Sequence, residues 1–184
     1  MAYLDGMDIS ERARIEELIA KTSYDVRGRI LQKMVELEII FDTYVASHFS
    51  GDNNDKFQEF ISLMMSGTPL FRKWAIMYYL LSVHNKEFLL KNKEVITNKK
   101  LQDIIEIRNL FAHFPIDFSE DALHNYTNTY SIIFRKFKET RENDTPLLFT
   151  NYYLSSVNVN EYLNQIYLYI KLFRELVEGV PHPL

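Results

Sequence analysis

The sequence predicts a mainly α-helical fold that carries one small β-hairpin. Three observations predict it. Apolar residues alternate by four and three at Ile30, Met34, Leu37, Phe41 and Tyr44. A strongly apolar stretch from about Val159 to Glu178 closes the chain, ended by Gly179 and Pro181. Between them, two β-favouring runs flank a polar turn. With 184 residues, 47% hydrophobic and 25% charged, the chain is expected to form a single domain with a real core.

Taken in order, Ser10 can cap a first helix beginning at Glu11, with acidic residues early in it as the helix dipole favours. The seam from Ile30 to Tyr44 belongs to a longer second helix, from about Tyr24 to Phe49. Ser50-Gly51-Asp52-Asn53-Asn54 has the composition of a loop, and Asp55 to Met65 reads as a third helix. Pro69 suits the first turn of a fourth helix over residues 70–83, apolar on most sides and therefore central. Residues 85–96 are lysine-rich and carry no clear pattern. Thr97 or Asn98 can cap the next helix, which Pro115 limits by keeping Phe114 out of the α region. The hairpin is expected within about 126–153: Tyr126 to Lys138, a turn at Arg141 to Pro146, then Leu147 to Tyr153.

Composition narrows the function. A net charge of −4 argues against a non-specific nucleic-acid binder, which would be basic overall. The absence of cysteine excludes disulfides and thiolate metal sites and fits a reducing compartment. No histidine pair has metal-ligand spacing on an expected helix face, and no phosphate-binding loop, dinucleotide fingerprint or nucleophile elbow occurs, so no metal or cofactor is expected. The first residues are acidic and lack the order of a signal peptide, and the longest apolar run, Trp74 to Leu81, is too short to span a bilayer. A soluble, cytoplasmic protein is expected.

One segment departs from an ordinary helical domain: Arg108-Asn109-Leu110-Phe111-Ala112-His113. Leu101, Ile104 and Ile105 set an apolar stripe that resumes at Phe111 and Ala112, and Arg108 falls near its middle. A guanidinium there cannot shed its charge, so it needs a partner or a polar cleft. Asn109 and His113 are four apart and share a face, whereas Arg108 stands about 140° from His113, so the three can border one groove only if the helix end loosens or another element folds over it. A helix C-terminus also favours a protonated histidine. On the second helix, Glu38 and Asp42 interrupt the track of Leu31, Val35, Val45 and Phe49, and one of them is expected to pair with Arg108. A purely structural ion pair is the alternative to a catalytic one. Two basic groups stand out: Lys99 with Lys100, and Arg135, Lys136, Lys138 with Arg141.

The RN-x-x-AH hexapeptide resembles the Arg-polar-x3-His signature of the HEPN superfamily. The order of elements, with a long early helix bearing acidic positions, a short β insertion after the motif and a closing helix, looks most like the relatives of the mannitol operon repressor. The resemblance implies an antiparallel up-and-down helical bundle, with the β-hairpin inserted between the motif helix and the C-terminal helix. It further implies a homodimer in which the motifs of two chains face one cleft. It implies a metal-independent endoribonuclease: His113 would handle the proton on the attacking 2′-hydroxyl or the leaving 5′-oxygen, Arg108 would stabilise the phosphorane, and Asn109 would orient His113 or hold a phosphate oxygen. Lys99, Lys100 or the cluster of Arg135, Lys136 and Lys138 would line the RNA path. Where some toxin members place a tyrosine shortly after the histidine, Phe114-Pro115 follows here. A toxin or phage-defence role, held in check by an antitoxin-like protein, is the first expectation. The alternative is a non-catalytic regulatory or protein-interaction module.

Overall fold

The structure, a computed structural model, describes residues 8–137 and 149–178. It is mainly helical with one two-stranded antiparallel sheet, as expected. The elements run α1 (Ile9–Ser50), α2 (Asn54–Phe60), α3 (Leu70–His84), α4 (Lys86–Lys91), α5 (Asn98–His113), α6 (Glu120–Thr129), β1 (Ile132–Phe137), β2 (Phe149–Leu154) and α7 (Ser156–Glu178). No helix among the described residues is long and apolar enough to cross a membrane.

Several boundaries differ from expectation. The two expected N-terminal helices are one helix of 42 residues. Thr22-Ser23 does not break it, because the buried Ser23 hydroxyl donates to the Ala20 carbonyl at 2.7 Å and so finds its partner within the helix. Capping begins earlier than Ser10: the Asp8 carbonyl accepts from Arg12 N–H, and its carboxylate accepts from the Ser10 hydroxyl. Gly51, at φ +55°, closes the helix in the left-handed conformation that glycine tolerates best. The third expected helix ends in a π-helical turn over Ile61–Met65.

The largest correction concerns the hairpin. Residues 126–129 are helical and belong to α6, so the first strand starts at Ile132. Ser119 sits at the N-cap with its own N–H held by the Asp117 carboxylate at 2.8 Å, and Glu120 and Asp121 follow in the first turn. Ala122, Leu123 and Tyr126 are buried at helical spacing, and Tyr130, at φ +53°, ends the helix. The strands pair from Ile132 with Leu154 to Phe137 with Phe149. The expected turn, Arg141 to Pro146, lies outside the described residues.

The chain forms two compact units: residues 1–31 with 108–163, and residues 32–107 with 164–184. In the first, Ile15, Ile19, Ile30, Phe111, Phe134 and Leu163 are among the buried residues, and the Phe111 and Phe134 rings meet edge to face at 5.1 Å. In the second, the core is aromatic. Phe41, Trp74 and Phe173 lie within 5.9 Å of one another, centroid to centroid. The Trp74 indole donates to the Asn98 side chain at 3.1 Å. The Tyr169 hydroxyl donates to the Val95 carbonyl at 2.6 Å, and burial pushes its pKa up to about 12. On α3, Trp74, Met77, Leu80 and Leu81 are buried while Ile76, Tyr79 and Val83 are exposed, so this helix is not buried on most sides as its composition suggested.

Candidate functional site

The motif occupies the end of α5. Leu101, Ile104, Ile105, Leu110 and Phe111 are buried, and Arg108 is half-buried beside them, in keeping with its place on the stripe. Its Nη1 donates to the Asn109 side-chain oxygen at 3.1 Å. His113 is exposed. The helix does not loosen at its end: the Phe114 N–H still reaches the Leu110 carbonyl at 3.1 Å. Arg108 and His113 therefore remain about 140° apart around the axis.

The segment leaving the motif is tied down on both sides. Asp117 N–H donates to the Ile133 carbonyl at 2.8 Å and Arg135 N–H to the Pro115 carbonyl at 3.1 Å, so residues 115–117 extend the sheet alongside β1. From α1, the Arg27 guanidinium donates to the Phe114 carbonyl and lies 5.2 Å from the centroid of the Phe134 ring. Its Nε is buried without a hydrogen-bond partner, and burial lowers its pKa. Sequence reasoning passed over Arg27, whose signal was weak: a cation between Val26 and Gly28 on a helix with many charges.

Glu38 and Asp42 correct the expected ion pair. Both meet Lys73 of α3, each at 2.8 Å, and the Lys73 side chain is 3% exposed. Burial alone would lower the Lys73 pKa, but its hydrogen bonds to Asp42 and Glu38 raise it. Burial raises Asp42 against the lowering by Lys73, and Asp42 Oδ1 is buried without a hydrogen-bond partner. One ammonium serves two carboxylates, so the cation gains more than either anion. The signal for Lys73 was the one that marked Arg108: a basic side chain set among apolar residues at helical spacing, here Met77, Leu80 and Leu81. Among the described residues, no carboxylate pairs with Arg108.

Lys99 and Lys100 lie exposed in the first turn of α5, and the Lys100 ammonium donates to the Glu94 carbonyl. Arg135 pairs through Nε with Asp117 at 2.7 Å, and the Asp117 side chain is 3% exposed. Lys136 stands opposite Thr150 in the sheet. Lys138 and Arg141 lie outside the described residues.

A cleft of about 380 Å³ lies where the polar face of α6 meets the hairpin. Asp121, His124, Asn125, Asn128 and Thr129 supply the helix side, and Ile133, Arg135, Asn151 and Tyr153 the sheet side, with Asp117 and Ser119 also lining it. Asn128 Nδ2 and His124 Nε2 are 2.9 Å apart. In the other unit, the rings of His48 and His84 stand 4.5 Å apart, and burial followed by the neighbouring His84 lowers the His48 pKa. No group of three or more metal-ligating side chains is gathered among the described residues. Comparison with known protein families, curated proteins and solved structures returns no match to this chain.

Proposed function

We propose that this chain is a HEPN-like, metal-independent endoribonuclease whose site is completed by a second copy of itself. The observation that carries this reading is the state of Arg108: among the described residues no carboxylate neutralises this half-buried guanidinium, and its hydrogen bond is to the neutral Asn109 carboxamide. Such a cation is poised for an anion from outside, and its planar donors match a phosphate. His113, exposed in the last turn of the same helix, supplies an imidazole, the side chain most often used as general acid and base. Their angular separation on an intact helix favours a site made by two motifs meeting about a two-fold axis over one made by a single motif.

In the proposed reaction His113 takes the proton of the 2′-hydroxyl, whose oxygen attacks the adjacent phosphorus. The bond to the 5′-oxygen breaks, and that oxygen receives a proton from the same residue of the second copy, leaving a 2′,3′-cyclic phosphate. Arg108 holds the negative charge that builds on the phosphorane, and Asn109 fixes the guanidinium. An unrestrained nuclease of this kind calls for a restraining protein, which fits a toxin or defence role.

A second reading, a non-catalytic interaction module, is favoured by the apolar side chains exposed on α1 and α3, among them Val35, Ile39, Ile76, Tyr79 and Val83. The test is cleavage of a mixed panel of labelled RNAs in EDTA. The nuclease reading expects cutting by the wild-type protein, lost in folded His113→Ala and Arg108→Ala variants. A folded dimer that cuts nothing in the panel would leave the interaction module as the better account.

A further inference from the structure

The polar cleft between α6 and the hairpin lies outside the motif, and its composition is not that of an ordinary solvated surface. Residues 121, 124, 125, 128 and 129 recur at helical spacing and turn one face of α6 toward the cleft. An exposed face of a 10-residue helix is best filled with lysine, glutamate, glutamine or arginine, which favour the helix. Here it carries Asn125, Asn128 and Thr129, which disfavour it. The opposite face is already secured by Ala122, Leu123 and Tyr126, so the weak helix formers are not needed for packing.

Across the cleft the hairpin presents one of its two faces. Ile133 pairs with Tyr153 and Arg135 with Asn151, and all four line the cleft. Arg135 is pinned there by the buried Asp117, whose other oxygen holds the Ser119 N–H at the start of α6. Asp117 and Arg135 cancel in charge, and Asp121 leaves the lining with no excess of positive charge, which disfavours a phosphate as the main ligand group.

What remains is His124, the half-exposed ring of Tyr153 and three carboxamides, from Asn125, Asn128 and Asn151. The Asn125 oxygen accepts from the Thr129 hydroxyl at 2.7 Å and Asn128 Nδ2 lies 2.9 Å from His124 Nε2, which leaves each of these amides a further N–H and a further lone pair for a ligand. A carboxamide offers a donor and an acceptor in one plane, which matches the paired donor and acceptor on the edge of a nucleobase, and a tyrosine ring offers its face for stacking. At about 380 Å³ the cleft lies at the lower end of small-molecule sites, suited to one base with its sugar. We propose that this cleft binds an uncharged nucleoside through its base, with Tyr153 as the stacking platform and Asn125, Asn128 and Asn151 reading the base edge. This site does not depend on whether His113 cuts RNA.

The test is equilibrium dialysis of the full chain against labelled adenosine and uridine, with methyl glucoside and inorganic phosphate as competitors. At least one nucleoside should bind saturably, neither competitor should displace it, and the Asn125→Ala/Asn128→Ala protein should bind at least ten-fold more weakly while melting no lower than wild type. Absence of saturable nucleoside binding, displacement by the glucoside or by phosphate, or unchanged binding in the double variant would overturn the proposal. Mononucleosides contain no phosphodiester to cut, so the two readings fail separately: nucleoside binding without RNA cleavage counts against the nuclease alone, and RNA cleavage without nucleoside binding counts against this cleft alone.

Discussion

Lys73 and Arg108 are both cations set among apolar residues on a helix, and the molecule treats them in opposite ways. Lys73 is almost wholly buried and is met by two carboxylates, Glu38 and Asp42, each at 2.8 Å. Arg108 is half-buried, and its hydrogen bond is to the neutral oxygen of Asn109. A cation closed off by its own chain's carboxylates has its charge spent on the fold, because desolvation must be offset by the ion pairs. A cation left with an amide keeps most of its field for a ligand. The difference separates a structural charge from a candidate functional one more cleanly than burial or helix position does.

The comparison can be broken from either side. Replacing Lys73 by Met removes the cation that Glu38 and Asp42 share, and we expect a loss of about 2–4 kcal/mol in denaturant unfolding, somewhat under the fully buried case because Glu38 is partly exposed. A loss below about 1 kcal/mol would show that the carboxylates find water, and the contrast with Arg108 would collapse. Arg27→Met tests a cation of intermediate kind, held by the Phe114 carbonyl and the Phe134 ring. We expect about 1–2 kcal/mol, with faster hydrogen exchange at the Arg135 amide that bonds the same exit segment; unchanged exchange would detach Arg27 from that segment.

Arg108→Ala should change stability by about 1 kcal/mol, from one hydrogen bond to an amide and the packing of a half-buried stem, and a loss as large as that of Lys73 would make Arg108 structural in the same way. The smallest effect is expected from pH. The His48 pKa is lowered in the folded chain, so the stability it contributes is full above the ordinary histidine value of 6.5 and is lost as pH falls through that value toward the folded one. A modest drop in melting temperature between pH 7 and 5.5, removed by His48→Gln, is the expected result. An acid drop that survives in the variant would assign it elsewhere.

Much of this contrast was readable in the sequence, in uneven measure. The helical class and the odd position of Arg108 follow from periodicity, and the hairpin before the closing helix from β-favouring residues flanking turn residues, all of which local chemistry encodes directly. The partner of Glu38 and Asp42 does not, since pairing between helices is set by packing, which no local pattern of residues encodes. The single long α1 was harder to read, since the four-and-three seam is regular only from Ile30; across the expected break Ser23 turns back to Ala20, and Thr22 lies 3.2 Å from the Tyr126 hydroxyl. Helix α6 was hidden by its own asparagines, threonines and tyrosines, which read as strand and turn. Only the buried face of Ala122, Leu123 and Tyr126, with the Asp117–Ser119 start, makes it a helix. The cleft it lines was illegible for the same reason.

The central claim is that Arg108 is a cation kept open for a phosphate. Its most direct test is RNA binding by a His113→Ala protein, which holds substrate uncut, with and without Arg108→Ala, across a salt series. The account predicts at least ten-fold weaker binding on loss of Arg108 and a salt slope shallower by about one counterion, with both proteins folded. Equal affinity and slope in the two folded proteins would contradict it.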